Sequence, residues 1–121
     1  MEVYLNLIHN FLKGGDAQIL VLVPEINLTP QLENRFRKRF QHTKIVTLHS
    51  NLNTSERLAN WRQAKSGEAQ IILGTRLAIY TPIKHLKLII IDEEHDMSFK
   101  QQEGLKYHAR DIALVRARNL N

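Results

Sequence analysis

Asp92-Glu93-Glu94-His95 follows directly on Leu88-Ile89-Ile90-Ile91, so a run of large aliphatic side chains empties straight into acids and a histidine. That arrangement suits nucleotide hydrolysis: a first carboxylate holds the water shell of Mg²⁺, and a second orients and deprotonates the attacking water. Mg²⁺ dehydrates reluctantly and needs few protein ligands, so one aspartate on a rigid strand tip is enough. Asp92 is thereby the candidate for the metal and the nucleotide, and Glu93 for the water. The bland alternative is a strand ending in a solvated acidic turn. A transition-metal site made from Asp92, His95 and Glu94 or Asp96 fits less well, because such metals draw on convergent histidines or thiolates. His9, His42 and His85 carry no assigned chemistry.

Other polar groups recur at the same kind of position. Gly74-Thr75-Arg76 follows an apolar run: glycine permits close approach of a phosphate, threonine donates to it, and arginine adds a charged fork. Thr29-Pro30 marks a helix N-terminus, a natural anion site. His49-Ser50-Asn51 is a third small polar cluster. Between Phe99 and Arg110, aromatic residues (Phe99, Tyr107) alternate with donors and cations (Lys100, Gln101, Gln102, Lys106, Arg110). Rings that stack on unpaired bases and cations that track a backbone suit a single strand. The competing reading is a loop whose rings plug the core.

The elements that position these residues follow from periodicity. Over 3–13, Leu5, Ile8 and Leu12 share a helical face, and Gly14-Gly15 stops it. Apolar runs at 18–24, 44–49, 69–75 and 86–92 predict four strands covered on both faces. Between them, Leu32, Phe36 and Phe40 predict a helix after Thr29, with Arg35, Arg37, Lys38 and Arg39 on its other faces. Asn53 and Glu56 predict a capping box opening a helix in which Leu58 and Trp61 point inward and Gly67 follows the end. Ala109, Ile112 and Ala113 suggest a closing helix over 107–118. Strands alternating with helices predict an α/β fold with a parallel sheet, whose ligands gather outside the carboxyl ends of the strands.

The 121 residues suffice for one domain and not for two. No apolar run approaches the roughly 20 residues that span a bilayer, so no membrane partner is expected. The N-terminus does not read as a signal peptide. Cysteine is absent, which removes disulfides and thiolate metal sites. Seventeen Lys and Arg against twelve Asp and Glu give a net charge of +5, suited to a polyanionic partner or simply to solubility.

Taken in order, "EVYL", "LVPEINLTPQ", "LHSNLNTSERLANW", "GEAQIILGTRLAIYTP", "IIIDEEHD" and "FKQQEGLKYHARDIALVRA" closely resemble the PriA-type primosomal replication-restart helicases of helicase superfamily 2. The resemblance covers nearly the whole chain. It implies a RecA-like three-layer motor domain within an ATP- and Mg²⁺-dependent 3′-to-5′ DNA helicase that acts in the bacterial cytoplasm, at the nucleoid. Implied partners are single-stranded and forked DNA, single-stranded-DNA-binding protein and primosome proteins. It further implies catalytic roles for Glu93 and His95, the latter coupling nucleotide state to DNA, and Mg²⁺-ATP binding by Asp92. DNA contacts are implied for the turn from Pro24 to Gln31, with Pro24 and Thr29 foremost, for His49, Gly74, Thr75 and Arg76, and for Phe99, Lys100, Tyr107 and Arg110. Leu105 and Phe99 depart from the tryptophan and tyrosine common in such proteins.

The family's Gly-Lys-Thr phosphate loop would directly precede "EVYL", and no G-x-x-x-x-G-K-[ST] occurs in these residues. Residues 1–121 are therefore expected to be a partial N-terminal motor domain that begins just after the phosphate loop and ends before the next helicase motif, lacking the phosphate-loop strand, with no zinc site and no ATPase activity in isolation. An apolar sheet edge beside the fourth strand is expected, open to self-association. The alternative is a stand-alone single-stranded nucleic-acid-binding module without catalysis, which has no need of Asp92-Glu93 on a buried strand.

Overall fold

The computed structural model describes residues 2–92 and 112–117. Helices α1 (Glu2–Leu12), α2 (Pro30–Arg39) and α3 (Thr54–Ser66) alternate with strands β1 (Gln18–Leu22), β2 (Ile45–Leu48), β3 (Ile71–Gly74) and β4 (Leu86–Asp92), and β5 is Ala113–Ala117. Among the described residues the strands form one sheet in the order β2-β3-β1-β4-β5, and every pairing is parallel.

Handedness places the layers. The chain runs outward from β1 to β2, then turns back to β3 and on to β4. Right-handed crossovers in opposite directions put their connections on opposite faces of the sheet. Accordingly Leu32 and Phe36 of α2 pack with Leu5 and Ile8 of α1 against Ile19, Val21, Leu88 and Ile90. On the other face Ala64 of α3, with Ala78, Ile79 and Ile83, packs against Leu20, Leu22, Ile89 and Ile91. Strands β1, β2 and β3 and residues 88–92 of β4 are buried because both faces of the sheet are covered there, as the aliphatic runs predict, whereas Lys87 of β4 and Arg116 of β5 are exposed.

Local signals place the helix ends. Thr29 caps α2, its hydroxyl oxygen accepting from the Leu32 amide at 3.2 Å. At α3 the box closes in both directions, the Asn53 side chain taking the Glu56 amide at 2.8 Å and the Glu56 carboxylate taking the Asn53 amide at 3.0 Å. Gly67 follows with φ +94°, the left-handed geometry that favours glycine. Beneath the sheet, the buried Gln18 side chain donates to the carbonyls of Ala64 and Ala69 and accepts from the His85 amide.

Three expectations need correction. Residues 113–117, read as part of a closing helix, form β5 in register with β4 from Leu88↔Ala113 to Asp92↔Ala117. Helix propensity favours Ala, Leu and Arg by at most about 0.7 kcal/mol per residue, and pairing along a buried strand outweighs it. The edge beside β4 is consequently covered, and the sheet's outer strands are β2 and β5. On α3, Leu58 is 44% exposed and Trp61 only half-buried, leaving Ala64 as the buried residue of that helix. The helix opens with charged and polar residues on every side, so no clean apolar stripe pulls Leu58 inward.

Candidate functional site

All strands being parallel, their carboxyl ends share one rim, and the polar residues singled out above lie along it. Asp92 ends β4 and is fully buried. Its neighbour β1, paired from Ile19↔Leu88 to Leu22↔Ile91, delivers the next turn of chain across it. Pro24 caps a 3-10 turn, Glu25–Asn27, and the Asn27 Nδ2 donates to Asp92 Oδ2 at 3.2 Å. This bond fixes the orientation of the Asp92 carboxylate at the strand tip. Among the described residues no group of three or more His, Asp or Glu converges on a metal position, so the only cation this chemistry could suit is one that keeps most of its waters, as Mg²⁺ does. Asn27 lies within the turn from Pro24 to Gln31 that the resemblance marks for DNA, but its contact with Asp92 is what sequence reasoning passed over. The signal for it is spatial, an asparagine just past a strand that pairs beside the acidic one.

At the end of β3, Thr75 is buried and its amide donates to Leu48 O at 3.2 Å, which ties this tip to that of β2. Thr75 caps a second 3-10 turn, Arg76–Tyr80, with Arg76 and Leu77 exposed and Ala78 and Ile79 buried. Gly74 serves the same junction. A Cβ there would stand 2.5 Å from Ala78 Cβ and 3.1 Å from Leu48 O, so the second turn folds back over a position that admits no side chain. His49, half-buried past β2, accepts from the Asn51 amide at Nδ1, 3.2 Å away. Thr29 spends its hydroxyl oxygen on its own helix. Arg37 and Arg39 of α2 reach the Ile45 carbonyl and Asn6.

A cavity of about 260 Å³ opens between these tips, bounded by Glu25 beyond β1, His49 beyond β2, Thr75 and Leu77 beyond β3, and Arg57 and Trp61 of α3. The connections leaving β1 and β3 pass to opposite faces of the sheet, so the cavity lies where an open parallel sheet characteristically forms a ligand crevice. The structure thus assembles Pro24, His49, Gly74, Thr75, Arg76 and Asp92 on one rim. Glu93, His95, Phe99, Lys100, Tyr107 and Arg110 lie outside the described residues.

Known proteins share both sequence and fold. The chain is 52% identical over 120 residues to the replication restart protein PriA of Haemophilus influenzae, covering 99% of this chain and 16% of that one. Against the PriA proteins of Synechocystis and Bacillus subtilis the identities are 53% and 45%, each match covering 96% of this chain and 14% of the relative. The chain thus spans about a sixth or less of the length of these relatives. In structure it is similar to domain 2 of the DEAD-box helicase Mss116p, solved bound to an RNA duplex, with TM-score 0.75, 12% identity, and coverage of 97% of this chain and 49% of that one. The C-terminal part of the Fun30 ATPase domain gives TM-score 0.69 at 10% identity, covering 95% of this chain and 39% of that one. At these identities the structural likeness speaks to the RecA-like fold. Residues 2–119 match the DEAD/DEAH box helicase model, and the chain belongs to the DEAD/DEAH box helicase family.

Proposed function

We propose that residues 1–121 are a partial N-terminal motor domain of an ATP-dependent 3′-to-5′ DNA helicase that acts in replication restart and primosome assembly, in the bacterial cytoplasm and at the nucleoid. The observation that carries this reading is the 52% identity over 120 residues to a replication restart protein PriA, and the Asn27–Asp92 hydrogen bond adds to it by joining the turn beyond β1 to the acid that ends β4. That bond supports a rim on which nucleotide chemistry and nucleic-acid contacts are mechanically adjacent.

Mg²⁺-ATP, when bound, supplies the reactive phosphoryl group and the charge that neutralises it. Asp92 would hold the ion through its waters, Glu93 would take a proton from the attacking water, and His95 would couple the nucleotide state to the strand. Pro24, Thr29, His49, Gly74, Thr75 and Arg76 would form the nucleic-acid track, continued by Phe99, Lys100, Tyr107 and Arg110. Single-stranded and forked DNA are the proposed substrates. Single-stranded-DNA-binding protein and other primosome proteins are the proposed partners.

Two measurements test the reading. With single-stranded DNA present, phosphate release by the 121-residue chain should stay at buffer background. A chain extended ahead of Glu2 by a glycine-rich loop ending in Gly-Lys-Thr should show DNA-stimulated release, abolished by Asp92→Asn. Turnover by the unextended chain, or none by the extended one, overturns the assignment. Binding of labelled single-stranded DNA should weaken steeply with salt, and Arg76→Ala should reduce that slope by about one. Salt-independent binding removes the proposed track.

A further inference from the structure

Trp61 is the chain's single tryptophan, and its place on α3 is unusual for so large an apolar side chain. It is half-buried, and it bounds the cavity between the strand tips instead of entering the core. The surroundings are organised. The Arg57 guanidinium donates to the carbonyls of Ser50 and Leu52, at 3.4 and 3.3 Å, and so holds the β2–α3 turn that forms one wall. The exposed Lys65 ammonium lies over one face of the Trp61 ring, 5.1 Å from its centroid, so the indole already holds a cation by its π face, just outside the cavity lining. Because His49 accepts at Nδ1, the neutral ring carries its proton on Nε2 and offers a donor. Glu25 contributes an acceptor, and Leu77, 67% exposed, an apolar lip.

An aromatic wall, an adjacent cation, and one acceptor and one donor in a crevice at strand ends match the chemistry of a single nucleotide in a strand. The base needs a ring to stack on and edge partners, and its phosphate needs the cation. We propose that this cavity captures one unstacked base of single-stranded DNA, with Trp61 as the stacking surface and the exposed Lys65 turning from the ring face to the neighbouring phosphate. This rests on the reading of the strand tips as a nucleic-acid track and adds a base contact to what is otherwise a backbone-reading rim. Stacking tolerates any base, so such a contact grips without demanding a sequence.

Trp61 also reports on its own site. Oligothymidylate, an abasic oligomer of the same length and free thymidine monophosphate are titrated in turn into the 121-residue chain. Binding is followed by anisotropy of labelled oligomers, with the monophosphate as unlabelled competitor, and Trp61 by its emission. Both oligomers should bind. Oligothymidylate should quench Trp61 and shield it from iodide, the abasic oligomer should do neither, and the free nucleotide should act only at far higher concentration. Trp61→Ala should weaken oligothymidylate binding roughly 5- to 150-fold, the range base stacking covers, leave abasic binding unchanged, and be largely rescued in Trp61→Tyr.

If both oligomers bind and Trp61 emission does not change, or the abasic oligomer quenches equally, base capture fails while the track stands. Quenching by the monophosphate at oligomer concentrations would make the cavity a small-molecule site and also overturn the proposal. If neither oligomer binds, the track fails and base capture with it.

Discussion

Adding a single methyl group at Gly74 tests whether the rim is held together as the packing indicates. Gly74 closes β3 and is paired on both sides, with Leu22 of β1 and Leu48 of β2, so its backbone has little room to move. In Gly74→Ala the new Cβ would sit 2.5 Å from Ala78 Cβ. Carbon atoms settle at about 3.5–4.0 Å, so the turn carrying Ala78 must retreat by about 1 Å. That turn is itself pinned, Ala78 N donating to Thr75 O at 2.8 Å and Thr81 N to Ala78 O at 3.0 Å. Overpacking of this kind costs about 1–3 kcal/mol. Reduced entropy of the unfolded chain returns about 0.4–1 kcal/mol. The net loss is about 1–2 kcal/mol, a fall of about 5–10 °C in Tm for a chain of this size.

Thermal and urea unfolding of four proteins decide the matter: the unmodified chain, Gly74→Ala, Ala78→Gly, and the pair together. Ala78→Gly will carry a cost of its own, from a lost buried methyl and a looser turn. The informative quantity is the coupling, expected at about 1–2 kcal/mol because Gly74→Ala should be nearly free once the Ala78 methyl is gone. If Gly74→Ala costs the same in both backgrounds, or nothing in either, the close approach of the two turns is not what holds this junction.

Asn27→Ala should lower stability by about 1–2 kcal/mol in urea unfolding, since a buried carboxylate loses a donor. Asn27→Asp should be worse by the same measurement, because it sets a second carboxylate at hydrogen-bonding distance from the first, and equal stability of the Ala and Asp variants would refute this. Gln18→Leu strands two carbonyls and an amide beneath the sheet and should cost about 3 kcal/mol or more by the same measurement. Asn53→Ala removes the capping box and should cost about 0.5–2 kcal/mol, read as lost helical signal and a lowered urea midpoint.

Much of the fold was legible because its signals are local. The aliphatic runs placed β1 to β4, Thr29 and Asn53 placed the starts of α2 and α3, and Gly67 placed the end of α3. Sequence reading failed where a local preference met a distant partner. Ala113–Ala117 would suit a helix, and only the neighbouring β4 makes it a strand. Leu58 and Trp61 are spaced for a core-facing stripe, but α3 buries Ala64 instead and leaves Leu58 exposed and Trp61 half-buried. Gly74 reads in isolation as a place for a phosphate to approach, whereas its missing side chain is first needed for Ala78. Strand order was not readable at all, because the run of residues from β1 to β4 carries no mark saying that β1 will lie between β3 and β4.

That order is what gives the candidate site its connectivity. Because β1 separates β3 from β4, the short turn beyond it meets both halves of the rim: Glu25 bounds the cavity and Asn27, two residues on, holds Asp92. The strands beneath are buried and paired on both sides, so they behave as fixed posts, while the turn is held by a few hydrogen bonds, Asn27 N to Pro24 O and Leu28 N to Glu25 O among them. A three-residue 3-10 turn has no slack between its first and last positions. Two residues of chain and one hydrogen bond thus connect the cavity wall to Asp92, and they do so because the chain returns to β3 before crossing to β4, which leaves β1 between them.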